Sequence, residues 1–137
     1  MSEKEKERKT RVVYTPKAPM PAGHYSQAIV HDGLVYVSGQ LSIDPATGAE
    51  KLGTIEDQTE QVLSNIGEIL LAAGSDLRHV LKTTAYISDM ELWPRVNATY
   101  AAVFGDYRPA RAVVPTKELH YGFKIEIEAV AAVIDNE

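Results

Sequence analysis

The chain has 137 residues, 45% of them hydrophobic and 24% charged, and a formal net charge of -5. That length holds one domain with a real core, and the acidic balance gives no global attraction to nucleic acid or to an anionic membrane. The absence of cysteine removes disulfides, thiolate nucleophiles and Cys-based metal sites together.

Residues 1–10 are nearly all charged or polar and are expected to form a disordered tail, leaving 11–137 as the domain. Arg11 to Thr15 reads as a short first strand. Pro16, Pro19, Pro21 and Gly23 then make an irregular connector, because fixed φ and missing donors exclude a regular element. Ser26–His31 and Leu34–Ser38 flank Asp32-Gly33, a two-residue hairpin turn that accepts positive φ. Gly39, at the strand end, predicts a bulge or a close backbone approach, and Asp44 to Gly48 predicts a further turn.

Thr54 is a helix N-cap with Glu56 and Asp57 in the first turn. Ile55, Val62, Leu63, Ile66, Ile69, Leu70 and Ala73 follow at helical spacing up to Gly74, giving about five turns with one buried stripe. Leu81 to Ser88 alternates, with Leu81, Thr83, Ala85 and Ile87 on one side. Asp89 caps a second helix over 91–104 whose stripe is Trp93, Val96, Tyr100, Val103 and Phe104, with Asn97 at its edge. The last quarter opens on Arg108-Pro109-Ala110-Arg111, passes a loop with His120, Tyr121 and Gly122, and ends in a strand over 123–133. There Phe123, Ile125, Ile127 and Ala129 oppose Lys124, Glu126 and Glu128. From Val130 the second face also turns apolar, so one end of it is expected to be covered.

The order of elements defines an α+β domain: a mixed β-sheet with two helices on one face. No third helix covers the other face, and self-association is the economical answer. No phosphate loop, dinucleotide fingerprint, serine triad or metal motif is present. His24, His31, His79 and His120 lack ligand spacing, so no metal is expected. His24 and His120 have no evident acid partner, and nothing marks Lys117 or Lys124 as a desolvated nucleophile. No apolar run reaches the length of a membrane span, and the charged N-terminus is not a secretory signal, so a cytoplasmic location is expected. Residue types alone leave Arg111 as surface cation or anchor, Glu126 as solvated or functional carboxylate, and Asn97 as a backbone-satisfied or pocket-facing amide.

Five segments carry a resemblance. Gly23-His24-Tyr25-Ser26-Gln27-Ala28, Val37-Ser38-Gly39-Gln40, Asn97-Ala98-Thr99-Tyr100, Pro109-Ala110-Arg111 and Ile125-Glu126-Ile127-Glu128-Ala129 resemble, in order, the RidA/YjgF reactive-intermediate deaminase family. The resemblance covers the domain from about residue 11 onward. It implies a chorismate-mutase-like single domain, a homotrimer with active sites in clefts between subunits, and hydrolysis of 2-imino acids or their enamine tautomers to 2-oxo acids and ammonia. Carried over by motif, Arg111 anchors the substrate carboxylate, which a guanidinium matches bidentately at any working pH. Glu126 positions or activates the attacking water, helped if burial raises its pKa. Tyr25, Ser38, Gly39 and Asn97 line the cleft, and no cofactor is required.

Two departures accompany the match. Val113 stands where many relatives carry cysteine, which excludes thiol regulation but not imine chemistry. Leu119-His120-Tyr121-Gly122 replaces a Pro- and Lys-containing loop, placing His120 and Tyr121 where they can bear on which side chains fit. The competing expectations are a non-catalytic regulatory protein binding small carboxylates on the same trimeric fold, and a catabolic deaminase of an aminomuconate-like compound.

Overall fold

The structure is a computed structural model that describes residues 10–134. The expected tail therefore lies, apart from Thr10, outside the described residues. One six-stranded sheet has the order β1-β2-β3-β6-β4-β5, formed by β1 (Arg11–Val13), β2 (Ala28–His31), β3 (Leu34–Gln40), β4 (Val80–Ile87), β5 (Ala110–Pro115) and β6 (Ile125–Ala132). Only β4 and β5 run parallel; the other neighbours are antiparallel. The β2–β3 turn is built as expected, with φ of 49° at Asp32 and 82° at Gly33.

Helix α1 (Ile55–Ala72) and helix α2 (Trp93–Phe104) pack on each other and on one sheet face. Thr54 and Asp57 form a reciprocal cap: the Thr54 hydroxyl accepts from the Asp57 amide at 3.1 Å and the Asp57 carboxylate from the Thr54 amide at 3.3 Å. The α1 stripe enters the core without exception, together with Val35, Val37, Ile87, Ile125 and Ile127. Burying one such branched side chain contributes roughly 1.5–3 kcal/mol, so this stripe holds the helix layer to the sheet. The opposite face is open, with Tyr36 47% and Val12 65% exposed. No helix among the described residues is long and apolar enough to cross a membrane.

Four local expectations are corrected. Asp89 caps only a short 3-10 turn over Met90–Leu92, and the α-helix begins at Trp93, because Pro94 lacks an amide and fits only a first helical turn. Val103 is 37% exposed, and Thr99 takes its place beside Val96, Tyr100 and Phe104 on the buried face. Leu81 is 45% exposed while Val80 is fully buried. The pairing runs Val80↔Ala131 and Lys82↔Val130, so Leu81 is the extra residue of a bulge and drops out of the alternation. The last strand is also shorter than 123–133, with Phe123 buried just before it.

Candidate active site

Register decides where the candidate side chains point. Arg111 pairs with Thr83, whose hydroxyl meets the Tyr100 hydroxyl of α2 at 2.7 Å; both therefore face the helix layer. Glu126 pairs with Tyr86, and alternates with buried Ile125 and Ile127, so it stands on the open face. Within one chain, Arg111 and Glu126 lie on opposite faces of the sheet and line two different clefts.

The arginine cleft, about 510 Å³, lies between the C-terminal half of α2 and the segment leading into edge strand β5. The Arg111 guanidinium stacks over Trp93 at 4.6 Å and Tyr100 at 4.9 Å from the ring centroids, and its Nη1 donates to Asn97 Oδ1 at 2.9 Å. Asn97 is exposed rather than partly buried, and its amide oxygen holds the guanidinium rather than a backbone group. Trp93, Asn97 and Tyr100 sit at i, i+4 and i+7 on one helix face, a spacing visible in the sequence but absorbed there into the core stripe. Their joint effect is to orient a guanidinium whose other N–H donors remain available, since no described carboxylate pairs with it.

The glutamate cleft, about 400 Å³, collects Tyr25, Ser38, Gly39, His120, Tyr121 and Glu126. Six of the eight candidate residues thus meet here, and Arg111 and Asn97 meet elsewhere. Apolar Met20, Leu41 and Ile43 complete the wall and were not singled out in the sequence.

Three buried amides hold the loops that form this cleft. Gln27 accepts from the Thr15 amide at 2.7 Å and donates to the Thr15 and Pro19 carbonyls at 3.0 Å each, tying down the connector before Tyr25. Asn65 of α1 donates to Leu41 and Ile43 carbonyls at 3.1 Å each. Gln58 accepts from the Lys124 amide at 2.9 Å, fixing the chain beyond His120 and Tyr121. Buried polar groups must be paired, and the Gln58 and Asn65 pairings convert helix positions into loop positions.

Gly39 is where the glutamate is seated. The β3–β6 register runs Val37↔Ala129 and then Gln40↔Ile127, three residues against two, which is the bulge expected at this glycine. A Cβ added to Gly39 would lie 2.7 Å from Glu126 Oε2. The carboxylate thus rests on bare backbone. Gly39→Ala is expected to leave the melting temperature nearly unchanged, because a flexible side chain yields. It should lower turnover by about 10²-fold, the usual effect of an ångström of misplacement; wild-type turnover in this variant would show that the seat is unimportant.

Burial pushes the Glu126 carboxyl above its ordinary range, His120 opposes that push, and Glu128 adds to it. Glu128 itself accepts the Tyr86 hydroxyl proton in a hydrogen bond across β4 and β6. Among the described residues no group of three or more His, Asp or Glu is placed to hold a metal ion. The arrangement can orient a carboxylate at one cleft and present a base beside an apolar wall at the other.

The architecture is that of a small α+β protein whose polar candidates divide between an edge-strand arginine and an open-face glutamate. The family model described as Endoribonuclease L-PSP matches residues 15–133. A "RutC family protein" of Pyrococcus horikoshii is 47% identical over 120 residues, covering 88% of this chain and 95% of the relative. The human "2-iminobutanoate/2-iminopropanoate deaminase" is 44% identical over 121 residues, covering 88% of each. The crystal structure of E. coli TdcF with bound serine is 30% identical, covers 90% of this chain and 99% of that one, and superimposes with a TM-score of 0.86. The chain belongs to the Endoribonuclease L-PSP family, and the RidA/YjgF resemblance read from its motifs is borne out.

Proposed function

We propose that this protein is a cofactor-independent deaminase that hydrolyses 2-imino acids, or the enamines that tautomerise to them, to 2-oxo acids and ammonia in the cytoplasm. The observation that carries the reading is the seat of Glu126: a carboxyl with a raised pKa, laid on the Gly39 backbone in a cleft walled by apolar and aromatic groups. The human relative's name specifies this chemistry on imino acids of three and four carbons. The E. coli relative holds an amino acid, as a site built to take a 2-amino or 2-imino carboxylate would.

In this reading the assembly is a homotrimer of chorismate-mutase-like subunits, and one site combines Arg111 and Asn97 of one subunit with the glutamate cleft of its neighbour. A sheet separates Arg111 from Glu126 within a chain, and no side chain crosses it. Arg111 lies on the edge strand, where it can reach a second copy, and the open face with Tyr36, Val12 and Val130 supplies the apolar surface to bury between copies.

Arg111 fixes the carboxylate. Glu126 takes a proton from water as the water oxygen bonds to C2. Tyr25, Ser38 and Tyr121 shape the space around the substrate. A 2-imino acid is already electrophilic, so one oriented water and one base, worth about 10²–10⁴-fold, suffice.

The test is an imine-trapping assay, in which an amino-acid oxidase generates 2-imino acids in the presence of semicarbazide and the protein lowers semicarbazone yield. Mixing inactive Arg111→Ala and Glu126→Gln subunits through unfolding and refolding should restore about a quarter of the sites in a cyclic trimer. No restoration would place both residues of each site in one chain. The family's ribonuclease label is a weaker reading, because Glu126 and Glu128 on the open face of a chain of charge -5 repel a phosphate backbone.

A further inference from the structure

We propose that His120 is a second catalytic proton carrier, protonating the departing nitrogen while Glu126 handles the attacking water. This rests on the deaminase reading above. His120 begins a 3-10 turn, His120–Gly122, at the mouth of the glutamate cleft and lines it together with Glu126. The turn is held in an unusual shape: Tyr121 has φ 60° and Gly122 φ 80°, both left-handed. A non-glycine residue there costs free energy and persists only where its surroundings enforce it.

The enforcement is visible. Tyr121 meets the ring of buried Phe123 edge-on at 6.2 Å, the Phe123 amide donates to the His120 carbonyl at 3.1 Å, and Gln58 grips Lys124 just beyond. The His120 ring is exposed to the cleft, 5.7 Å from the Tyr121 ring, and no described residue hydrogen-bonds its nitrogens. An imidazole held on a strained, anchored turn with both nitrogens free is placed to exchange protons with something that enters the cleft.

The groups that face it are Glu126 of β6, with Glu128 one pleat further and tied to Tyr86 of β4, Tyr25 of the connector and its own neighbour Tyr121. In the assembly proposed above, Arg111 of a neighbouring subunit also enters. His120 and Glu126 line the same cleft, so one substrate held there lies within reach of both, and the His120 charge works against the burial that raises the Glu126 carboxyl.

The reaction needs two proton movements at two atoms. Water oxygen bonds to C2 of the iminium, the C=N π pair moves to nitrogen, and Glu126 takes the water proton. The imidazolium then protonates the carbinolamine nitrogen. The C–N bond breaks with its electron pair leaving on ammonia, the hydroxyl oxygen forms the carbonyl, and its proton returns to His120. The proton on Glu126 leaves with ammonia as ammonium, restoring carboxylate and imidazolium. Iminium and water become 2-oxo acid and ammonium, with nothing else consumed.

The test is the pH dependence of kcat for wild type, His120→Gln and His120→Ala in the trapping assay, with and without added imidazole. Wild type is expected to lose kcat on the alkaline side in a way that depends on His120. His120→Gln should lack that limb and be slower by roughly 10²-fold, and imidazole should restore His120→Ala in a concentration-dependent way. If wild type is active but His120→Gln keeps both its rate and its profile, or imidazole does nothing for a slowed His120→Ala, the role is refuted while the deaminase reading stands. If wild type hydrolyses no imine, both fall.

Discussion

Arg111→Ala is expected to lower kcat/KM for 2-imino acids by roughly 10²–10³-fold, or about 3–4 kcal/mol, which falls within the loss seen when one partner of a desolvated charged pair is removed. The fold should survive, since the side chain is exposed on an edge strand and its stacking on Trp93 and Tyr100 contributes only about 0.5–1 kcal/mol. Arg111→Lys should not rescue the loss. An ammonium cannot lie flat on both rings, receive the Asn97 oxygen and still present two parallel donors to a carboxylate. Steady-state kinetics beside a thermal melt measures both effects, and a variant with wild-type kcat/KM would remove Arg111 from the site.

Glu126→Gln should reduce kcat by roughly 10²–10⁴-fold with little change in KM, because the amide keeps the shape but cannot accept the water proton. The pH dependence has a definite sign. Burial raises the Glu126 pKa, so wild-type kcat should climb with pH through a range above that of an ordinary carboxylate, and Glu126→Gln should have no such limb. The same shift opposes folding. A carboxyl whose folded pKa exceeds its unfolded value favours the native state below the unfolded pKa, and that advantage is lost as pH rises through the folded one. At neutral pH Glu126→Gln should therefore melt at or above the wild-type temperature. Calorimetric titration with a 2-oxo acid completes the comparison. Retained binding beside lost turnover assigns the glutamate to chemistry, whereas a wild type that binds but never turns over would make this a small-carboxylate sensor.

Much of the fold was legible because its signals are local. The α1 stripe, the Thr54 cap, the Asp32-Gly33 turn and the Ile125–Ala129 alternation each depend on residues within a few positions of one another. Gly39 is the instructive intermediate case. Its place at a strand end indicated a bulge or a close approach, and it proved to be both, but what approaches it comes from 87 positions along the chain, at Glu126. The misplacement of Leu81 has the same origin, since a bulge is a property of two strands and alternation is read from one. The roles of Gln27, Gln58 and Asn65 were invisible for a related reason: a polar residue on or beside a helix or strand shows nothing in sequence about which distant backbone group it will pair with.

The sequence by itself determined the elements, their order, the two helices on a mixed sheet and, through five short motifs, the family. Those are consequences of backbone periodicity, turn stereochemistry and residue identity, all carried within short windows. Only the tertiary structure decided that Arg111 and Glu126 face opposite ways. That outcome comes from the registers Thr83↔Arg111 and Tyr86↔Glu126, in which β4 sits between β5 and β6 and passes one parity to each. Side chains alternate with a period of two, so one residue of slippage in either pairing would have reversed the answer.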